Sequence, residues 1–174
     1  MTTTSQATSM TPATRATPRA PAGPVALPPA PTDPFAVPAA SFAYLERSAR
    51  ALSEAITVGD VGLRYAHAHM AALRATAALL AARARPDVQP RRRRPQRNAW
   101  VLLAEVAPEL AEWAAFFSQG AAKRAAAASG ARGAVTEREA DDLVREADRF
   151  LALVEESLGL APHRPCVDRL ARLG

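Results

Sequence analysis

The sequence predicts an all-α protein, an up-and-down four-helix bundle behind a disordered amino-terminal tail, on three observations. Hydrophobic residues make up 49% of the chain but aromatic ones only 5%, and 43 of its 174 residues are alanine. Alanine favours helix and is depleted in strands, so a core built on it suits closely packed helices. From residue 41 to residue 158 the larger apolar residues recur at spacings of three and four, the period of an amphipathic helix. Capping and breaking residues divide that pattern into four segments, and 174 residues suffice for one domain.

Residues 1–40 hold nine of the fifteen prolines and eight threonines, with Arg15, Arg19 and Asp33 as the only charged side chains. Proline resists helix and removes backbone donors, and too little apolar surface is present to offset ordering, which predicts a disordered tail. The folded domain is expected over 41–159, followed by a short tail over 160–174. The first helix, about 42–57, carries Phe42, Leu45, Ala49, Leu52 and Ile56 after an expected Ser41 N-cap and before Gly59. Asp60 can cap the second, in which Leu63, Ala66, Met70, Leu73, Ala77, Leu80 and Ala84 form a stripe ending before Pro86. The third starts at an Asn98 cap, faces Leu103, Val106, Leu110, Trp113 and Phe117 inward, kinks at Pro108, and runs through an alanine tract to Ser129 and Gly130. The fourth is signed at both ends: Thr136 and Glu139 have capping-box spacing, Leu143, Ala147, Leu151, Val154 and Leu158 form the stripe, and Gly159 sits where a C′ residue belongs. Four such helices on short loops imply the bundle.

The net charge of +5 conceals an uneven distribution. Residues 1–98 sum to +8, residues 99–158 to −5 and the remainder to +2. Seven arginines, Arg83, Arg85, Arg91, Arg92, Arg93, Arg94 and Arg97, face Asp87 alone in a proline-punctuated connection between the second and third helices. So dense a positive stretch attracts a phosphate backbone through counterion release, which makes Arg91, Arg92, Arg93, Arg94 and Arg97 the candidate nucleic-acid contacts; a solvated connector has the same composition. No aromatic residue lies among them to stack on bases. A single cysteine, Cys166, excludes an internal disulfide and a Cys₄ or Cys₂His₂ zinc framework. Arg74 and Arg83 interrupt the best apolar run, so no membrane span is expected, and without a secretory h-region the cytoplasm is the default location.

The stretches GLRYAHAHMAALRATAALLAAR, NAWVLLAEVAPELAEWAAFFSQGAAKRAAA and VTEREADDLVREADRFLALVEESL resemble a small actinobacterial family of HEPN-domain proteins over residues 42–158. The resemblance implies a four- to five-helix bundle that pairs into a homodimer, and an RNA-linked role. Many HEPN domains are metal-independent endoribonucleases, while others do not catalyse. The catalytic signature of the superfamily is an Arg, four to six residues, then a His, and Arg64 and His69 are spaced in that way. In that chemistry the His moves the 2′-hydroxyl or leaving-group proton and the Arg stabilises charge developing on phosphate. Here the pair lies on the second helix and Tyr65 follows the Arg. Positions five apart on a helix point about 140° from each other. On the expected stripe His69 falls at the margin of the core face and Arg64 near solvent.

The remaining constellations are bland. His67 and His69 point to opposite sides of a helix, and His163 with Cys166 makes two ligands rather than a site, so neither metal nor cofactor is expected. Glu137, Glu139, Asp141, Asp142 and Glu146 complement the dipole at the start of their helix. Trp100, Trp113, Phe116 and Phe117 read as core, with Phe116 offset enough to mark an oligomer contact. Two functions remain open: an RNA-associated module, with or without weak ribonuclease activity, and a noncatalytic dimeric adaptor that binds a protein partner.

Overall fold

The computed structural model describes residues 37–83 and 98–165. Most of the expected tail, the arginines at 91–94 and 97, and Cys166 therefore lie outside the described residues. Five α-helices are present among those described: α1 (Ala39–Thr57), α2 (Val61–Arg83), α3 (Ala99–Val106), α4 (Ala111–Ala128) and α5 (Glu137–Ser157), with a 3₁₀ turn at Pro108–Leu110. No strand occurs among the described residues, and no helix there is long and apolar enough to cross a membrane.

The count of five corrects the expected four, because Pro108 separates two helices rather than kinking one. A proline cannot donate to the preceding turn, and the residue before it is pushed out of the helical region. Ala107 accordingly sits at φ −135°, ψ 73°, and the chain restarts through the 3₁₀ turn. The other caps match their sequence signals. The Leu63 amide donates to Asp60 Oδ1 at 2.8 Å, and the Trp100 amide to Asn98 Oδ1 at 3.1 Å. Thr136 and Glu139 close a reciprocal capping box, with bonds of 2.9 and 3.2 Å. Gly159 takes φ 72° where α5 ends, a left-handed conformation that glycine adopts without a Cβ clash.

Ser41 is not a cap. α1 begins before the expected boundary, on the Pro38 carbonyl, and Ser41 lies inside it. Its buried hydroxyl donates to the Ala78 carbonyl at 2.9 Å, and the Ser48 hydroxyl donates to the Ala71 carbonyl at 2.8 Å. A serine side chain reaches a neighbouring helix backbone only where the two axes lie close. Ala51 and Ala55 on α1, and Ala68, Ala71, Ala72, Ala75 and Ala78 on α2, provide that closeness and are wholly buried.

α2 packs against α1, α3, α4 and α5, so it is the central helix. This also corrects its core face. The expected stripe residues Leu63, Ala66, Met70, Leu73, Ala77 and Leu80 are all at least partly exposed, and the buried set is Tyr65, Ala68, His69, Ala71, Ala72, Ala75, Thr76, Ala78 and Leu79. At about 100° per residue the buried set covers one half of the helix, and the expected stripe lies on the other half. Its close contacts take alanine, and most of its larger apolar residues, Leu63, Met70, Leu73 and Leu80, stand on the more open half. The bulk of the core comes instead from the surrounding helices: Leu52, Leu103, Phe117, Phe150 and Leu151.

The reassigned face is testable by urea denaturation. Leu79→Ala empties a fully buried site and should cost about 2–5 kcal/mol. Leu63→Ala, at a residue 43% exposed, should stay within about 0.5 kcal/mol. The reverse order would return the core to the stripe suggested by periodicity.

Candidate functional site

Arg64 and His69 leave α2 toward different neighbours. Arg64 turns to α5, where its Nη1 lies 2.5 Å from Asp141 Oδ1 and 3.9 Å from Glu137 Oε1, with 19% of its side chain exposed. His69 is buried and turns to α4, where its Nε2 lies 2.9 Å from the Phe117 carbonyl. A carbonyl only accepts, so Nε2 carries the proton and donates it. The ring is edge-on to Trp100 and Phe117, at centroid distances of 5.6 and 6.2 Å, and its Nδ1 is buried without a hydrogen-bond partner among the described residues. Burial, and to a lesser degree the positive field of Arg124, hold the His69 pKa below its ordinary value against the opposing pull of the Phe117 carbonyl. The neutral imidazole is thus the resident form. The expected positions were a marginal His69 and an Arg64 near solvent; the structure has a core histidine and a half-buried arginine in an ion pair, and does not bring them together.

The acids at the start of α5 are engaged as well. Asp141 holds Arg64, Asp142 pairs with Arg145, and Glu146 lies 2.8 Å from Arg149. Glu139 closes the capping box and also pairs with Lys123 across from α4, a combination that holds its carboxyl down to about 2, chiefly through the Lys123 hydrogen bond. The other two histidines also meet carboxylates: His67 Nδ1 is 3.1 Å from Glu54, and His163 reaches Glu155 through Nδ1 at 2.8 Å and Asp148 through Nε2 at 2.9 Å. The segment after α5, expected to be a tail, is therefore folded back on that helix as far as His163. Among the described residues no three His, Cys, Asp or Glu side chains are grouped to hold a metal ion.

A recess that sequence reasoning missed opens between α4 and α5. The helices meet through Trp113 and Phe117 on Phe150, at 5.5 and 5.2 Å between ring centroids, and through the Lys123–Glu139 pair. Between these contacts lies a groove of about 290 Å³ lined by Tyr65, Phe116, Gln119, Gly120, Lys123 and Leu143. It continues into a second recess of about 200 Å³ reaching Glu139 and Asp142. Gly120 is what allows α4 to approach: a Cβ there would stand 2.9 Å from Tyr65 Oη and 3.2 Å from His69 Cδ2. Two signals in the sequence point to this place. Gly120 interrupts a run of strong helix formers at a cost of about 1 kcal/mol relative to alanine, and Lys123 is the only lysine among twenty-two basic residues.

Compared with known proteins, the chain matches the family model of SAV_6107-like HEPN domains over residues 55–155, more than half its length and the stretch from the end of α1 nearly to the end of α5. No curated protein and no solved structure gives a significant match.

The state of His69 sets a pH dependence. A histidine whose native pKa lies below its unfolded value of about 6.5 binds protons more readily when unfolded, so stability falls as pH drops below about 6.5. The effect grows until the pH passes the native value. The stability difference between wild type and His69→Gln should therefore shrink as the pH is lowered from 7.5 to 5, measured by urea denaturation at each pH. A difference that widens would mean that His69 is charged in the folded protein.

Proposed function

The chain belongs to the HEPN family, and from that premise we propose that it is a noncatalytic binding module that engages the phosphate backbone of RNA. The observation that carries the noncatalytic part is the disposition of Arg64 and His69. The signature chemistry needs an imidazole that can exchange a proton with a 2′-hydroxyl and a guanidinium free to meet phosphate. In this chain the imidazole is sealed among Trp100 and Phe117 with its proton committed to a carbonyl, and the guanidinium is neutralised by Asp141. Both residues serve packing: His69 joins α2 to α4, and Arg64 joins α2 to α5.

The RNA part is supported by family membership and by the seven arginines set against one acid over residues 83–97. A contact of that kind is electrostatic and indifferent to sequence. A second reading, a homodimeric adaptor for a protein partner, is favoured by four large apolar side chains that remain exposed, Phe42, Leu63, Val101 and Phe116.

Two measurements decide between these roles. Replacing Arg91, Arg92, Arg93 and Arg94 with serine should weaken binding of single-stranded RNA of every sequence alike, and should lower the slope of log affinity against log salt by roughly 0.7 for each phosphate no longer neutralised. An unchanged slope would leave the adaptor reading. Purified wild type and His69→Ala should degrade RNA at the same background rate, whereas cleavage by wild type that is absent from the variant would make the chain an enzyme.

A further inference from the structure

We propose that the groove between α4 and α5 receives one unpaired base of a bound RNA, with Phe116 as the stacking platform and the Tyr65 hydroxyl as a donor to the edge of the base. The inference rests on the RNA reading above and assigns to it a site separate from Arg64, His69 and the arginine-rich stretch.

Tyr65 carries the argument. Only 6% of the residue is exposed, yet it lines the groove and its hydroxyl makes no hydrogen bond among the described residues. The ring is buried but the hydroxyl is not sealed with it, so its polar tip opens onto the groove, where a ligand can take the place of water. Burial also raises its pKa, so the hydroxyl keeps its proton and can donate. Gly120 lies directly opposite, where even a methyl group would stand 2.9 Å from that oxygen, so the bare backbone of α4 keeps the hydroxyl reachable from the groove.

The surroundings select a base over other ligands. Phe116 is 45% exposed, although its ring touches Phe117 at 5.0 Å and Trp113 at 6.3 Å between centroids. It is thus a supported aromatic surface at the mouth of a narrow recess, and base stacking on such a ring is tolerant of base identity. Gln119, which offers both a donor and an acceptor, supplies polar groups for a base edge. Lys123 is paired with Glu139, so the residues lining the groove include no uncommitted cation with which to hold phosphate. An uncharged, flat ligand with donors and acceptors along its edge satisfies these groups together.

The test compares two probes on purified full-length protein by fluorescence anisotropy: a short oligoadenylate, and an abasic sugar–phosphate strand of the same length. Wild type should bind the oligoadenylate more tightly. Phe116→Ala should weaken oligoadenylate binding by about tenfold and leave the abasic strand unchanged. Tyr65→Phe, which keeps the ring and the packing, should weaken oligoadenylate alone by about threefold. Equal binding of the two probes by wild type, or variants that affect both probes equally or neither, would overturn the base pocket while leaving the backbone reading intact. Failure of wild type to bind either strand would remove the RNA reading and the pocket with it.

Discussion

The closeness of α2 to its neighbours is the condition on which the rest of this structure depends. A helix packed against four others has little room for large side chains of its own at those contacts, and alanine is the residue that meets that requirement while favouring helix. The serine hydroxyls of α1 show how near the backbones come, since each reaches a carbonyl of α2 directly. The volume that α2 does not supply is supplied from outside, by leucines and phenylalanines of α1, α3, α4 and α5 that pack over the alanine surface.

The same condition governs the polar residues. Most polar side chains of α2 take a partner from the helix they lie beside, since a polar group removed from water is otherwise left unsatisfied. Arg64 finds Asp141 on α5, His67 finds Glu54 on α1, and His69 finds the Phe117 carbonyl on α4. Tyr65 faces the place where α4 and α5 separate, and its hydroxyl meets a groove instead of a protein group. Proximity in sequence therefore says little about shared function here, since neighbours on α2 belong to different interfaces.

Legibility followed the range of the interactions involved. Asp60, Asn98, the Thr136–Glu139 box and Gly159 were readable because capping is settled within four residues of chain. Pro108 was readable as a disturbance, but whether it bends a helix or ends one depends on what the following turn packs against, which lies outside the local sequence. The buried face of α2 was not readable. With alanine on every side, the few leucines set the apparent period, and most of them lie on the more open half of the helix. Ser41 resembled a cap because cap and cross-helix donor use the same hydroxyl, and only tertiary contact tells them apart. At the candidate site the spacing of Arg64 and His69 was visible while their separation was not, and the groove left only indirect traces in Gly120 and Lys123.

Ser41 and Ser48 are seven residues apart on α1, and the carbonyls they reach are seven apart on α2. An interface of alanines is smooth, and dispersion alone resists sliding of one helix along the other only weakly. Displacement by a fraction of a turn would pull both hydroxyls off their acceptors inside a dry contact, at about 1–3 kcal/mol each. Because the spacing is the same on both helices, the two bonds are kept or lost together. The two serines thus fix the axial setting of α1 on α2 within a turn, supplying the positional discrimination that a surface of methyl groups lacks.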